Sequence, residues 1–353
     1  IHFNPTELNL AVKLQEPKVL VANNEIFLTK LDLFIGLKSF IDSDFLLKRT
    51  EVAFAENDIK DLTKVTDIFL PRIINKKLNK VFAKGNLEGE FIIPFNPDGS
   101  VGKKYRFSGK VIEASINLTE KLVIKNLTTE INYGVDGKEN ILTAELKKGT
   151  LFDLNLSGSK INFKNKKNIK NFETSLQTKG KINFEQIKIL SSLFSFKANE
   201  FEEINAIANL ETKINFDLDN NFRIKNLFYS TEGILDNFEI HTKNRRIIKK
   251  YLPEYNPKII IKDTKVEFNN SKDEQNIELN GLIKTKDNYN TFEIKQNFVK
   301  KNKNFNIIGT LDLTDSKVKI SRLNYIKDEG KKSEIFFKIN FILNKFFNIK
   351  NLT

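Results

Sequence analysis

From position 214 to position 228 the chain alternates. Ile214, Phe216, Leu218, Phe222, Ile224 and Phe228 fall on even positions. Asn215, Asp217, Asp219, Arg223 and Lys225 fall on odd ones, with Leu227 the exception. A period of two separates apolar from polar groups only on a β-strand, whose successive side chains point to opposite faces. Between Leu218 and Phe222 stands Asp219-Asn220-Asn221, residue types that tolerate turn and left-handed geometry, so the stretch predicts strand, turn, strand. The stretch is also written twice. INFDLDNNFRIKNL at 214–227 and INFILNKFFNIKNL at 339–352 align without a gap, and Ile-Lys-Asn followed by Leu or Phe appears at 124–127, 169–172, 224–227 and 349–352. The unequal intervals exclude a fixed-period solenoid and fit sheet-building units with insertions.

The same alternation fills most of the chain. Further strands are expected at 30–33, 50–54, 110–118 (where the alternation is imperfect), 149–156, 160–163, 181–184, 259–268, 277–283 and 307–320. Turn signals lie at Pro97-Asp98-Gly99, Asp136-Gly137, Asn269-Asn270 and Asp287-Asn288. Short strands with hairpin punctuation predict a mainly β chain, an antiparallel meander. Helices are few. Residues 58–83 carry apolar groups at three- and four-residue steps, which predicts an amphipathic helix restarted at Pro71 and stopped near Gly85. Shorter helices are expected at 185–194 and 244–252. The organisation divides into residues 1–84, strands plus the amphipathic helix, and residues 85–353, a continuing run of β units with no sharp boundary.

Chemistry is harder to find than structure. There is no Cys, so no disulfide framework and no thiolate metal site. His2 and His241 lie far apart, each without a second His nearby, which leaves a metal cluster without support. In GSVGKK at 99–104 the two glycines stand too close for a Walker loop and no Ser or Thr follows the lysines. GSK at 158–160 lacks the frame of a nucleophile elbow. Most carboxylates alternate with apolar residues on strands, where solvated charges belong. The expectation is therefore a protein that is not an enzyme and uses no cofactor or metal.

The formal net charge is +13. Lys, Asn, Ile and Phe are over-used together, a combination that AT-rich codons produce, and the basic residues are dense only at 164–170 and 244–250. Beside this bland reading stands attraction to anionic membrane surfaces. Nucleic acid is not expected as a partner, since no RNA-binding aromatic motif or DNA-reading helix pair is present. There is no run of apolar residues long enough to span a bilayer and no signal-peptide pattern at the start. With no Met, position 1 included, the chain is expected to be a segment of a longer or processed protein, and an anchor, if the parent has one, would lie outside it.

A meander with one greasy face must cover it, because large apolar patches are not tolerated on soluble monomers. Two sheets could stack, one sheet could close into a barrel, or the sheet could curl into a trough filled by acyl chains. Three stretches bear on this choice. In EIFLTKLDLFIGLKSFIDSDFLLKRTEVAFAEN at 25–57 an alternating strand runs into a short Leu/Phe segment and then a second strand. Gly-led alternating units recur in GNLEGEFIIPF at 85–95, GKVIEASINL at 109–118, GKINF at 180–184 and GTLDLTDSKVKI at 309–320. NRRIIKKYLPEYNPKIIIKDTKVEF at 244–268 reads as a helix ending in Leu-Pro before a new strand. In these features the chain resembles the AsmA-like superfamily of bacterial envelope proteins, of TamB and YhdP type.

That resemblance implies an elongated, taco-like β-groove in the periplasm, tethered to the inner membrane by a helix outside this segment. It also implies bridge-like transfer of phospholipid between inner and outer membrane. The residues expected to line the groove and meet phospholipid acyl chains are Phe216, Leu218, Phe222, Ile224 and Phe228, with Phe341, Leu343, Phe347 and Ile349 in the second copy. The alternative is a structural or adhesive envelope protein with a closed, dry core.

Overall fold

The computed structural model describes residues 1–21, 24–37, 47–66, 80–137, 139–166, 169–193, 201–219, 223–242, 257–285, 288–315, 317–320, 324–342 and 347–352. Within them the chain is mainly β, and every strand pair with a stated register is antiparallel, as the alternation requires. In chain order the first strands are β1 (His2–Asn4), β2 (Asn9–Gln15), β3 (Lys18–Val21), β4 (Asn24–Gly36), β5 (Leu47–Asp58), β6 (Phe82–Pro94) and β7 (Arg106–Asn117). Then come β8 (Val123–Asp136), β9 (Glu139–Leu151), β10 (Asp153–Asn155), β11 (Lys160–Lys166), β12 (Ile169–Asn183), β13 (Phe201–Leu218) and β14 (Ile224–Thr242). The last are β15 (Lys258–Asn270), β16 (Glu274–Thr285), β17 (Asn288–Val299), β18 (Asn304–Asp312), β19 (Val318–Ile320), β20 (Tyr325–Lys327), β21 (Glu334–Ile342) and β22 (Phe347–Leu352).

The chain forms two compact units. The first comprises Ile1–Leu151, Leu156–Thr174 and Asp217–Lys225, so the division expected near residue 84 falls inside it. Its ladder runs β2, β4, β5, β6, β7, β8, β9, β11, with β1 beside β2 and β3 beside the first half of β4. The second comprises Phe152–Asn155, Ser175–Phe216 and Asn226–Thr353. There β14 leads through β15, β16, β17, β18 and β21 to β22, while β10 pairs with β12. Each written copy of the long phrase spans two strands: β13 ends at Leu218 and β14 starts at Ile224, and β21 ends at Ile342 and pairs with β22, which starts at Phe347; residues 220–222 and 343–346 lie outside the described ones.

Two helices stand among the described residues, α1 (Ile59–Thr66) and α2 (Phe184–Leu193). The Asp58 carboxylate accepts the Lys60 N–H at 2.7 Å and opens α1. Ile59 then enters a closed cluster with Val111, Ala114, Leu127, Leu146 and Leu156. The α2 start is a reciprocal capping box, in which Gln186 N–H donates to Asn183 Oδ1 at 3.0 Å and Asn183 N–H to Gln186 Oε1 at 2.9 Å. This matches the helix expected at 185–194; the one expected at 244–252 lies outside the described residues.

Five expectations need correction. The helix read over 58–83 overshoots by two residues: 59–66 and 80–81 are helical, the chain is extended from Phe82, and residues 67–79 lie outside the described ones. Gly85 does not stop a helix. It lies within β6 at φ 137°, where a Cβ would overlap Ala114 of β7, so the strand needs a residue without one. The single strand read at 149–156 is broken at Phe152 (φ 54°), which sends β9 to β8 and β10 to β12. The strand read at 307–320 stops at Asp312, and Val318 starts a separate hairpin with β20. Asn269-Asn270 is not a turn but the end of β15; the chain turns after it, where Ser271 N–H donates to the Glu274 carbonyl at 2.9 Å.

Several strands carry bulges at left-handed residues. Glu113, Asn126, Asn226 and Asp263 have φ between 46° and 53°, and three of them fall in the words Ile124-Lys125-Asn126, Ile224-Lys225-Asn226 and Ile261-Lys262-Asp263. The ladder slips between Lys125 and Thr128 and again between Lys262 and Lys265. Asn and Asp are the side chains that enter this region most readily, and one left-handed residue inserts the extra position of a bulge. At 124–126 the Ile-Lys-Asn echo is a bulge word, and Asn226 in a second copy shares the left-handed angle. Glu113 explains why 110–118 alternated imperfectly.

Candidate functional site

Residues directly opposite in an antiparallel ladder share a face, so strand register alone assembles the surfaces. In the second unit one such row is Tyr229, Asn270, Gln275, Phe298, Phe305, Phe341. Two residues along it runs Thr231, Phe268, Ile277, Gln296, Ile307, Ile339, and then Gly233, Val266, Leu279, Ile294, Gly309, Phe337. Gly281, Phe292, Leu311 and Ile335 form the next. The result is a broad apolar face on one side of the sheet. Phe298 and Phe305 stack with ring centroids 4.2 Å apart, and Phe305 and Phe341 at 4.8 Å. The ring of Phe337 lies over Gly309, where a Cβ would collide with it. Phe292 is buried, but Phe268, Ile277, Leu279, Ile294, Phe298, Phe305 and Phe341 are only half-buried.

The first unit repeats the design. Leu14, Leu31, Val52, Phe91, Phe107, Tyr133, Leu142 and Phe163 form one unbroken apolar row across eight strands. Phe91 and Phe107 approach to 4.5 Å between centroids, with Phe54 stacked alongside at 6.2 and 6.3 Å. One end of this face is sealed by the cluster around Ile59, while the row itself is half-buried from Leu31 to Phe163.

Two phenols report the polarity of these faces. Burial, and then a hydrogen bond with Tyr105, pushes Tyr133 up to about 12. Burial alone raises Tyr229. Desolvation penalises the phenolate, so both rings sit where water is scarce.

The opposite faces are polar. In the second unit Asn269, Asn276, Asn297, Asn306, Asn340 and Asn348 stand opposite one another on six consecutive strands of the ladder. Asn297 donates through Nδ2 to Asn276 Oδ1 at 2.7 Å, and Asn340 likewise to Asn306. In the first unit Lys30 Nζ meets Glu51 at 2.7 Å, Asp32 at 3.5 Å and Glu90 at 3.6 Å. The hydrogen bond to Glu51 is the main cause that raises Lys30 above the usual lysine value. Arg49 pairs with Glu51 at 3.0 Å and lies 4.1 Å above the Phe34 ring.

The residues singled out from the sequence fare unevenly. Phe341 stands in the Phe298–Phe305 stack. Phe216 and Leu218 are half-buried on β13. Ile224 and Phe228 are exposed, and the left-handed Asn226 between them breaks the even spacing that grouped them. By alternation from Ser230, which pairs with Asn269, Phe228 falls on the polar side and Leu227 on the apolar one. Register sets Phe347 opposite Phe341 and Ile349 opposite Ile339. Phe222 and Leu343 lie outside the described residues. The rows centred on β15 to β18 were missed as site residues. Their alternation was visible in the sequence, but the register that aligns them was not.

Among the described residues no group of His, Cys, Asp or Glu is placed to hold a metal ion, and no helix is long and apolar enough to cross a membrane. His241 is held by Glu239 at 2.9 Å. No family model, curated protein or solved structure matches the chain. Its function must be argued from the faces themselves.

Proposed function

We propose that the chain is a non-enzymatic lipid-binding and lipid-transfer protein, whose sheet curls its apolar side into a groove for phospholipid acyl chains. The observation that carries this reading is the half-buried apolar face of the second unit, continuous in register from β15 to β21. Its rings and branched aliphatics offer contact without fixed hydrogen-bond partners, which suits a ligand that slides. Covering such surface gains roughly 25 cal/mol per Å². The first unit's row from Leu31 to Phe163 offers the same chemistry. The envelope setting, with passage between inner and outer membrane and a tether outside the segment, is supported by the AsmA-like pattern of Gly-led alternating strands. The net charge of +13 supports approach to anionic membrane surfaces.

The test is lipid co-purification. Phe305→Asp with Ile294→Asp puts two carboxylates into the first and third rows of the face without touching the closed cluster of the first unit. Mass spectrometry of the purified variant should find phospholipid reduced at least severalfold against the parent chain, with far-UV circular dichroism unchanged. Equal lipid in both would refute the acyl-chain reading. The closed cluster around Val111 and Ala114 favours the second reading, a structural or adhesive protein, which predicts no bound lipid in the parent either.

A further inference from the structure

A cavity of about 580 Å³ opens at the ends of β2, β4, β5 and β6, away from the aromatic rows. Among the described residues its walls are Leu8, Leu37, Leu47, Phe95 and Pro97, and Lys48 is the charged residue of its lining. That volume lies within the roughly 300–1,000 Å³ typical of small-molecule sites, whose linings combine apolar walls with few polar groups.

The backbone holds this cavity in place. Leu37 N–H donates to the Leu8 carbonyl at 3.3 Å, and Phe95 N–H to the Lys48 carbonyl at 2.8 Å. Leu8 is held at φ 47°, a conformation leucine rarely adopts, and its side chain is 59% exposed. Lys48 Nζ donates to the carbonyls of Glu7 at 3.1 Å and Leu8 at 3.4 Å, which leaves it a further donor. Gly36 gives the lysine stem its path, since a Cβ there would press on Lys48 Cε. The nearby Glu7 carboxylate is engaged elsewhere, accepting from Asn9 Nδ2 at 2.9 Å and pairing with Arg49 at 3.4 Å.

We infer that this cavity binds one acyl chain with an anionic head, the chain against the leucines and Phe95 and the head on Lys48. The apolar walls choose the chain, and the Lys48 ammonium at the rim chooses the charge. A fatty-acid carboxylate and a lysophospholipid phosphate share this chemistry. The inference rests on the acyl-chain reading for its ligand class, but it places a separate, head-selective site in the first unit.

The probe is 11-(dansylamino)undecanoic acid, followed by fluorescence on the Phe305→Asp, Ile294→Asp background so that the sheet face contributes little. Oleate and oleoyl-lysophosphatidate should both displace it, about tenfold better than oleyl alcohol and oleoyl-lysophosphatidylcholine, the scale of one charged hydrogen bond. If only one of the two anions displaces it, the site is assigned to that head. Lys48→Gln should remove the anion preference while leaving the alcohol unchanged. Leu8→Asp alters an exposed side chain at a backbone angle aspartate tolerates, and it should weaken all four ligands. The inference fails if the four compete equally, if Lys48→Gln keeps the anion preference, or if Leu8→Asp binds like its parent. Loss of this site with phospholipid still on the sheet face of the parent chain would overturn the cavity assignment alone. The reverse result would overturn only the proposed function.

Discussion

Tyr133 lies in the middle of an apolar row, and its phenol shows what that location costs in charge. Its folded pKa, about 12, lies above the ordinary phenol value because burial disfavours the phenolate. An acid with a raised folded value contributes stability that is complete below the unfolded pKa and is lost as pH rises toward the folded one. Stability should therefore fall between roughly pH 10 and 12, and Tyr133→Phe should flatten that limb. Urea midpoints across the alkaline range read this directly. A variant with the same alkaline decline as the parent would mean that Tyr133 does not titrate on a dry face. Burial is the largest cause, and Tyr105, 6.0 Å away between ring centroids, adds to it through a hydrogen bond and its charge.

Among the elements, the bulged strands show best what could be read in advance. The sequence shows where strands lie because side-chain polarity repeats every second residue, and 259–268 and 277–283 were legible for that reason. It does not show a left-handed residue, because Asn126 and Asn226 look like any polar position on a strand. The repetition of Ile-Lys-Asn was visible, and its meaning was not. The helical reading of 58–83 ran two residues past the helical 80–81 for a related reason: an apolar residue such as Phe82 carries no mark of where the backbone changes from helix to strand. The bulge makes its own prediction. Asn126→Gly should keep stability within a few tenths of a kcal/mol, whereas Asn126→Val, branched and left-handed, should cost about 1–3 kcal/mol in urea unfolding. Equal losses for both would mean that the backbone angle is not what Asn126 supplies.

Across the molecule, nearly every stated pairing joins strands that are neighbours in sequence, with short skips at β2–β4, β9–β11, β10–β12 and β18–β21. Strands flanked on both sides, such as β7 and β16, have their amides tied into two ladders, whereas β1 and β3 have one stated partner each. Hydrogen exchange should follow this order, slowest in β7 and β16 and fastest in β1 and β3, since local opening begins where few bonds hold. Uniform protection across all four would contradict it. The candidate faces exist only at this scale. No short stretch contains them, which is why Phe341 could be picked from its hairpin while Phe298 and Phe305, its stacking partners, could not.

The row of asparagines on the far side of that sheet has a consequence for how the chain finds its fold. A protein written in near-identical words risks pairing the wrong words, and a slip by one residue turns a strand over. Here such a slip would drop an amide among the rings and lift a ring among the amides, at every step from Asn269 to Asn340. Each asparagine finds its neighbour only when the count is right, so the ladder proofreads the alignment of a sheet whose strands are otherwise hard to tell apart.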